Sequence, residues 1–205
     1  MSDPSNGAGI REHVLFFTRF LKSPRTVGAV TASSRALAEA MVADIDLARS
    51  GRIVELGPGT GVFTAAIVER LGADTEFLAL DIEPAFVARI NARFPSVECV
   101  CGSAEQLDAI AADRDMLPID HIVSGLPFVS LPPPVTQQII CSIARTLRPG
   151  GTFTTFQYVP AYGFPSAVAF RRSMSAGLHS QPSARLVVRN MPPVLVMTWR
   201  KVAES

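Results

Sequence analysis

"VELGPGTG", Val54 to Gly61, joins a short apolar run, "RIVEL", to a helical pattern, "TGVFTAAIVERLG". Glycines at 57, 59 and 61 remove every Cβ from one side of the turn, so a ligand can touch backbone there. The first amides of the following helix are unpaired donors with partial positive charge. The spacing is not the dinucleotide pattern G-x-G-x-x-G, and no Lys-Ser/Thr follows as in a phosphate-binding P-loop. A tight strand-to-helix corner needs glycine for steric reasons too, so the loop gains weight from two companions. Glu55 lies inside an otherwise apolar strand end, where a carboxylate must find donors. Asp81 closes the next apolar run, "EFLALD", roughly 20 residues on, where such folds hold ribose hydroxyls.

Outward from this corner, short apolar runs alternate with helical patterns. "PAFVARINARF" reads as a helix with Pro84 at its first position. "SVECVCG" is a third strand followed by the helix "AEQLDAIAA", and "IDHIVSG" is a fourth. "PPVTQQIICSIARTLRPGG" is a helix and "TFTTFQYV" a fifth strand. These strands are continuous apolar runs more than alternating ones, as in a parallel sheet covered on both faces. Beyond Tyr158, "FPSAVAFRRSMSAG" gives a helix, and "ARLVVRN" with "VLVMTWRKV" a hairpin around "MPP". The expected fold is α/β: a Rossmann-like, doubly wound, mostly parallel seven-stranded sheet with a C-terminal antiparallel hairpin and an N-terminal helical extension. The expected boundaries are a disordered tail over 1–9, N-terminal helices over 10–50 and the main domain over 51–205.

The 205 residues suit one such domain. Apolar residues make up 48%, enough for a full core, and the mean hydropathy of +0.28 points to a partly apolar surface. The 19 Lys and Arg nearly balance the 18 Asp and Glu, so the totals give no support for nucleic acid. Cys99, Cys101 and Cys141 lack zinc spacing and read as small buried hydrophobes of a reducing compartment. His13, His121 and His179 are scattered, and no metal is expected. No apolar run approaches the roughly 20 residues of a membrane span. The N-terminus lacks the apolar region and cleavage site of a signal peptide, which points to the cytoplasm.

"E-x-G-P-G-T-G" with the acid of "LALD" resembles class I S-adenosylmethionine-dependent methyltransferases, over Arg52 to Val202. The resemblance implies S-adenosyl-L-methionine as cofactor and S-adenosyl-L-homocysteine as product. It implies that Gly57, Gly59 and Gly61 contact the methionine part, with Glu55 and Thr60 beside them. Asp81 would bind the ribose, and Ile82 would pack on the adenine. The family commonly has an acid after the third strand for the adenine amino group, where "CGSAEQL" has Ser103. Gly102, Ser103 and Ala104 offer backbone or hydroxyl bonds there, and Glu105 is a neighbouring substitute. Ser103 reads equally well as a helix N-cap.

The fourth strand ends in "SGLPFVSLPP", Ser124 to Pro133. "SGLPF" is similar to the polar-Pro-Pro-aromatic corner of N-methyltransferases, whose backbone carbonyl and side chain orient the amine beside the cofactor, with Ser124 first and Phe128 as the aromatic. Such a corner holds a neutral amine in line with an activated methyl and needs no strong nucleophile. The resemblance assigns the carbonyls of Gly125 or Leu126 to the amine, and Phe128 to the sulfonium or substrate. "VGAVTASSRALAEAM", "SGLPFVSLPP", "QYVPAYG" and "RNMPPVLVMTWRK" together resemble bacterial phospholipid N-methyltransferases, which convert phosphatidylethanolamine to phosphatidylcholine. Ribosomal RNA adenine dimethyltransferases are related, but typically carry Asn-Leu-Pro-Tyr and a basic C-terminal domain. Methylation of RNA adenine or of a soluble amine is the alternative function, and a non-enzymatic binding module a third.

In "IREHVLFFTRFLK", Ile10, Val14, Phe17 and Leu21 form a helical stripe widened by Phe16 and Phe20, opposite Arg11, Thr18, Arg19 and Lys22. The pattern suits a helix lying in an anionic membrane interface, or one capping the sheet. The expected partners are that membrane surface and phosphatidylethanolamine, with no nucleic acid, for a monomer at the inner face of the membrane. "SSRALAEAM" starts with an N-cap at Ser33 or Ser34 and, by the resemblance, covers the cofactor pocket. Tyr158 follows the fifth strand and would offer its hydroxyl to the headgroup amine or phosphate. Tyr162 is a second candidate, and Arg171, on the apolar side of its helix, a phosphate ligand or a snorkelling side chain.

Overall fold

The computed structural model describes residues 27–203, with side chains from Arg35 onward. The tail expected over 1–9 and the amphipathic helix expected from Ile10 to Lys22 lie outside the described residues.

Among the described residues, six α-helices flank seven strands. The strands are β1 (Arg52–Leu56), β2 (Glu76–Asp81), β3 (Glu98–Cys101), β4 (Ile119–Ser124), β5 (Leu147–Tyr158), β6 (Ser183–Val187) and β7 (Val194–Arg200). The helices are α1 (Val27–Val42), α2 (Val62–Val68), α3 (Pro84–Arg93), α4 (Leu107–Ala112), α5 (Pro133–Thr146) and α6 (Pro165–Gly177). The sheet runs β3-β2-β1-β4-β5-β7-β6. β1 to β5 are parallel, while β7 enters antiparallel between β5 and β6. This is the doubly wound sheet that the alternating apolar runs predict.

Each face of the sheet buries its own core. One packs Leu56, Phe153, Phe170 and Trp199 under α4 to α6, with Trp199 Nε1 donating to Ser175 Oγ at 2.9 Å. The other packs Leu37 and Met41 of α1 and Ile67 of α2 against Val123. Full burial of each such side chain contributes about 1.5–3 kcal/mol. α3, α5 and α6 each begin with proline, whose fixed φ suits a first helical turn.

Two boundaries and one burial differ from the sequence reading. α1 starts at Val27, so Ser33 and Ser34 lie inside it. A cap residue favours a helix end without barring the helix from extending past it. α5 stops at Thr146 and β5 starts at Leu147, because Pro149 cannot continue a helix and Leu147 pairs with Ile119. Cys101, expected inside, is exposed, while Cys99 is buried.

The amino ends of three strands are fastened by Asp120. Its Oδ2 accepts from the amides of Gly51 at 2.9 Å and Arg52 at 2.8 Å, and Arg148 donates to Oδ1. The carboxyl ends are left to form the crevice.

Candidate active site at the carboxyl ends of β1 and β4

The register aligns the strand ends that matter: Leu56 lies opposite Leu80 on one side and Ser124 on the other, and Asp81 opposite Cys101. The chain reaches β3 on one side of β1 and resumes with β4 on the other. That reversal opens a crevice outside the carboxyl ends.

The loop after β1 crosses this crevice. Gly57, Gly59 and Gly61 take φ of +73°, +53° and +82°, a region that residues with a Cβ enter at a cost. Gly57 N donates to Leu80 O at 2.8 Å, and Gly59 N to Asp81 Oδ2 at 3.1 Å. A Cβ on Gly57 would strike Leu126 Cδ2 at 2.8 Å, whereas one on Gly59 would meet nothing within 4 Å. Gly59 therefore presents the open side of the loop, with the exposed Thr60 beside it.

Glu55 is fully buried beneath the loop. Thr64 Oγ1 donates to its Oε2 at 2.7 Å, and Oε1 has no partner among the described residues. Burial pushes the Glu55 carboxyl up to about 8, against the Thr64 hydrogen bond and with help from Asp81. Asp81 accepts from Glu83 N at 3.0 Å as well as from Gly59 N. Burial raises its pKa too, more than these amides lower it. Ile82, 42% exposed, stands next to it at the mouth of the crevice.

After β3, Gly102 N donates to Asp81 O at 3.0 Å, and Ala104 is buried in the core. Ser103 Oγ accepts from Glu105 N at 3.3 Å and bonds Glu105 Oε2 at 2.8 Å, so the N-cap reading of Ser103 is realised and both side chains have partners.

The corner after β4 packs directly on the glycine loop. Ser124 is fully buried, and its Oγ accepts from Leu126 N at 3.3 Å, so the side chain expected to meet substrate folds the corner instead. Ser124 O accepts from Thr155 Oγ1 at 3.1 Å, Leu126 O from Phe128 N at 3.0 Å, and Pro127 O from Ser130 N at 2.8 Å. Among the described residues Gly125 O alone of these carbonyls has no donor. Phe128 is 4% exposed and stacks on Phe170 at 4.3 Å, so it serves the core and not the crevice. The ring beside the corner is Phe63, whose Cε2 would lie 3.5 Å from a Cβ on Gly125. Phe63 meets Phe156 edge-on at 5.9 Å, and Phe156 meets Tyr158 edge-on at 5.7 Å. This row of half-buried rings occupies the position that sequence reasoning gave to Phe128.

Tyr158 ends that row, and burial raises its pKa. Tyr162 and Arg171 meet elsewhere, towards the opposite face. Arg171 lies 3.7 Å over the Tyr162 ring and donates to Gln157 Oε1 at 2.6 Å and Tyr162 O at 2.9 Å. The residues not anticipated are Phe63, Thr64, Thr155 and Gln157. Only Gln157 carries a signal in sequence, as a polar residue in an apolar strand. Among the described residues no group of three or more His, Cys, Asp or Glu gathers to hold a metal ion. Nor is any helix among them long and apolar enough to cross a membrane.

Residues 53–151 match a methyltransferase domain family. The chain is 29% identical over 154 residues to the ornithine lipid N-methyltransferase of Singulisphaera acidiphila, covering 74% of this chain and 80% of that protein. It is 34% identical over 122 residues to a probable ribosomal RNA small subunit methyltransferase A of Methanospirillum hungatei, where 59% of this chain spans only 41% of the relative. Among solved structures, 1,6-didemethyltoxoflavin-N1-methyltransferase from Burkholderia thailandensis, with bound 1,6-didemethyltoxoflavin and S-adenosylhomocysteine, shares the fold. Its TM-score is 0.69 at 22% identity, over 99% of this chain and 92% of that one.

Proposed function

We propose that this S-adenosylmethionine-dependent methyltransferase N-methylates the primary amine of a membrane lipid, phosphatidylethanolamine towards phosphatidylcholine, at the inner membrane surface. The observation that carries the reading is the corner after β4, where one carbonyl, Gly125 O, has no donor among the described residues and stands in a turn without a carboxylate, histidine or cysteine. The likeness to a lipid N-methyltransferase over most of both chains supports a lipid acceptor.

The residues fit the cofactor. Glu55 Oε1 is a buried acceptor lacking a donor among the described residues, which an ammonium group would supply. Asp81 would take the ribose hydroxyls, the open side of Gly59 the methionine part, and Ile82 the adenine. When bound, S-adenosylmethionine supplies a sulfonium methyl already activated for displacement.

The protein then has to present a neutral amine. Gly125 O accepts one amine hydrogen and turns the lone pair towards the crevice, while Phe63 and Phe156 exclude water and favour a cationic centre. Tyr158 keeps its proton at neutral pH, because burial raises its pKa, so it donates to the headgroup and is no general base. The ammonium therefore loses its proton to water or to the headgroup's own anion before it enters.

The likeness to ornithine lipid N-methyltransferase favours a second acceptor, the ornithine headgroup, which also offers a primary amine. The test is transfer of labelled methyl to vesicles holding phosphatidylethanolamine or ornithine lipid with an anionic lipid, and to RNA, by the full chain and by protein lacking residues 1–22. The expected result is label in mono-, di- and trimethylated phosphatidylethanolamine, lost with the truncation. Label in ornithine lipid alone would move the acceptor, and label in RNA alone would end the lipid reading.

A further inference from the structure

The near-neutral total charge hides a division along the chain. Positions 1–120 hold 11 Lys or Arg against 17 Asp or Glu, a net of −6. Positions 121–205 hold 8 against 1, a net of +7, and the single acid is Glu204. The last three strands, α5 and α6 are therefore built without one carboxylate side chain.

Most of these cations are occupied. Arg145 pairs with Asp108, Arg148 with Asp120 and Arg185 with Asp44, and Arg189 is also engaged. Arg200 and Lys201 donate to carbonyls at the amino end of β5. Arg171 and Arg172 of α6 meet no carboxylate among the described residues. Arg171 spends only Nη1 on its two neutral acceptors. Beside the pair lies an open recess of about 570 Å³, lined also by Tyr162, Ser175 and Gln181. Ser175 Oγ accepts from Trp199 Nε1, which leaves its own hydrogen to donate.

The same end of the molecule exposes apolar side chains. Val159 and Phe164 come from the passage between β5 and α6, Val168 from α6 itself, and Leu186, Val188 and Met191 from the β6–β7 hairpin. They form one neighbourhood. Val159 N donates to Pro193 O at 2.9 Å, and the register sets Leu186 opposite Leu195 and Leu195 opposite Gln157, which Arg171 holds. Phe164 is 55% and Met191 81% exposed, a cost in water that burial elsewhere would remove.

We infer that this face, formed by α6 and the 188–193 hairpin, docks onto an anionic lipid surface, with Arg171 and Arg172 receiving lipid phosphates and the apolar side chains entering the acyl boundary. Nucleic acid would reward cations joined by stacking rings. Here the one ring joined to a cation, Tyr162 under Arg171, is half-buried, and of the six exposed apolar side chains only Phe164 is aromatic. The purpose of the face rests on the lipid reading above. It lies at the carboxyl end of β5, the end where Gly125 sits, so a bilayer seated there presents headgroups to the crevice.

The test is partition of the full chain onto phosphatidylcholine vesicles with and without phosphatidylglycerol. Arg172→Glu should weaken binding to anionic vesicles at least about tenfold. Phe164→Asp combined with Val188→Asp should weaken binding to both vesicle types. Arg89→Glu, an equal charge change at an exposed site on α3 by the far sheet edge, should alter it by less than about twofold. Arg172→Glu and the double variant partitioning like wild type, with unchanged melting temperatures, would overturn the docking face. So would wild-type protein binding RNA more tightly than the vesicles and losing that binding with Arg172→Glu. Failure of the lipid-amine reading looks different: wild-type protein transfers no methyl to detergent-dispersed phosphatidylethanolamine, whatever its vesicle partition.

Discussion

A β-carbon on Gly125 would stand 2.7 Å from the carbonyl oxygen of Gly57, so the substrate corner and the cofactor loop meet backbone to backbone. Gly125→Ala must therefore push the two loops apart. Misplacement by about 1 Å costs on the order of a hundredfold in rate, and single-turnover methyl transfer by this variant should fall by about that factor. An unchanged rate in a folded variant would show that the two loops act independently.

Glu55 gives the cofactor-free protein a characteristic pH profile. Its carboxyl titrates near 8 when folded and near 4.5 otherwise, so the folded state binds more protons between those values. Its contribution is full below 4.5 and is lost as pH rises to about 8, at up to about 1.4 kcal/mol per unit. Glu55→Gln should flatten stability against pH across that window in urea melts. Binding of a cationic ligand beside Oε1 should release a proton at pH 7, read by calorimetry in buffers of different ionisation enthalpy.

The two rings near the corner should separate cleanly by assay. Phe128→Leu loses the stack on Phe170 and should cost about 1–2 kcal/mol of stability while leaving kcat/KM of the folded fraction alone. Phe63→Leu should lower kcat/KM about tenfold, the loss of a contact with a desolvated cation, with little change in melting. The reverse pattern would return Phe128 to the crevice.

At the opposite pole, Asp120 should matter for stability alone. Partial burial opposes its ionisation, but Arg148 and the amides of Arg52 and Gly51 outweigh it and hold its carboxyl below the ordinary value. That stability is present above pH 3.8 and is lost as pH falls through the depressed value. Asp120→Ala should cost about 2–3 kcal/mol at neutral pH in urea melts, the loss of a charged acceptor for several donors. Cofactor affinity per folded molecule should be unchanged.

The sheet is legible in the sequence because its buried strands are continuous apolar runs, and the loop after β1 because glycine is the residue for positive φ. Glu55 and Asp81 stand out as acids at apolar strand ends. Ring directions are not legible in this way. Phe63 and Phe128 both follow glycine-containing turns, and only the packed structure shows that Pro127 carries Phe128 inward onto Phe170. Ser124 misleads for a related reason: a buried hydroxyl needs a donor, and Leu126 N is nearer than any ligand. The acid-free stretch from 121 to 203 is plain in the letters, but whole-chain charge conceals it.

The insertion of β7 between β5 and β6 bears on how the chain is made. On the ribosome, strands emerge in sequence order, but this sheet is not ordered that way. β1 finds β2 on one edge early, yet its other edge waits for β4, since Ile53 pairs with His121. At about 5–20 residues per second, that edge stays bare for several seconds. β6 emerges before β7 and has no other neighbour in the sheet among the described residues, so it must wait unpaired while β5, joined to β4, keeps its far edge bare. The last strand to leave the ribosome closes both edges at once. A nascent chain halted before Val194 should remain a substrate for chaperones and proteases that the finished sheet escapes.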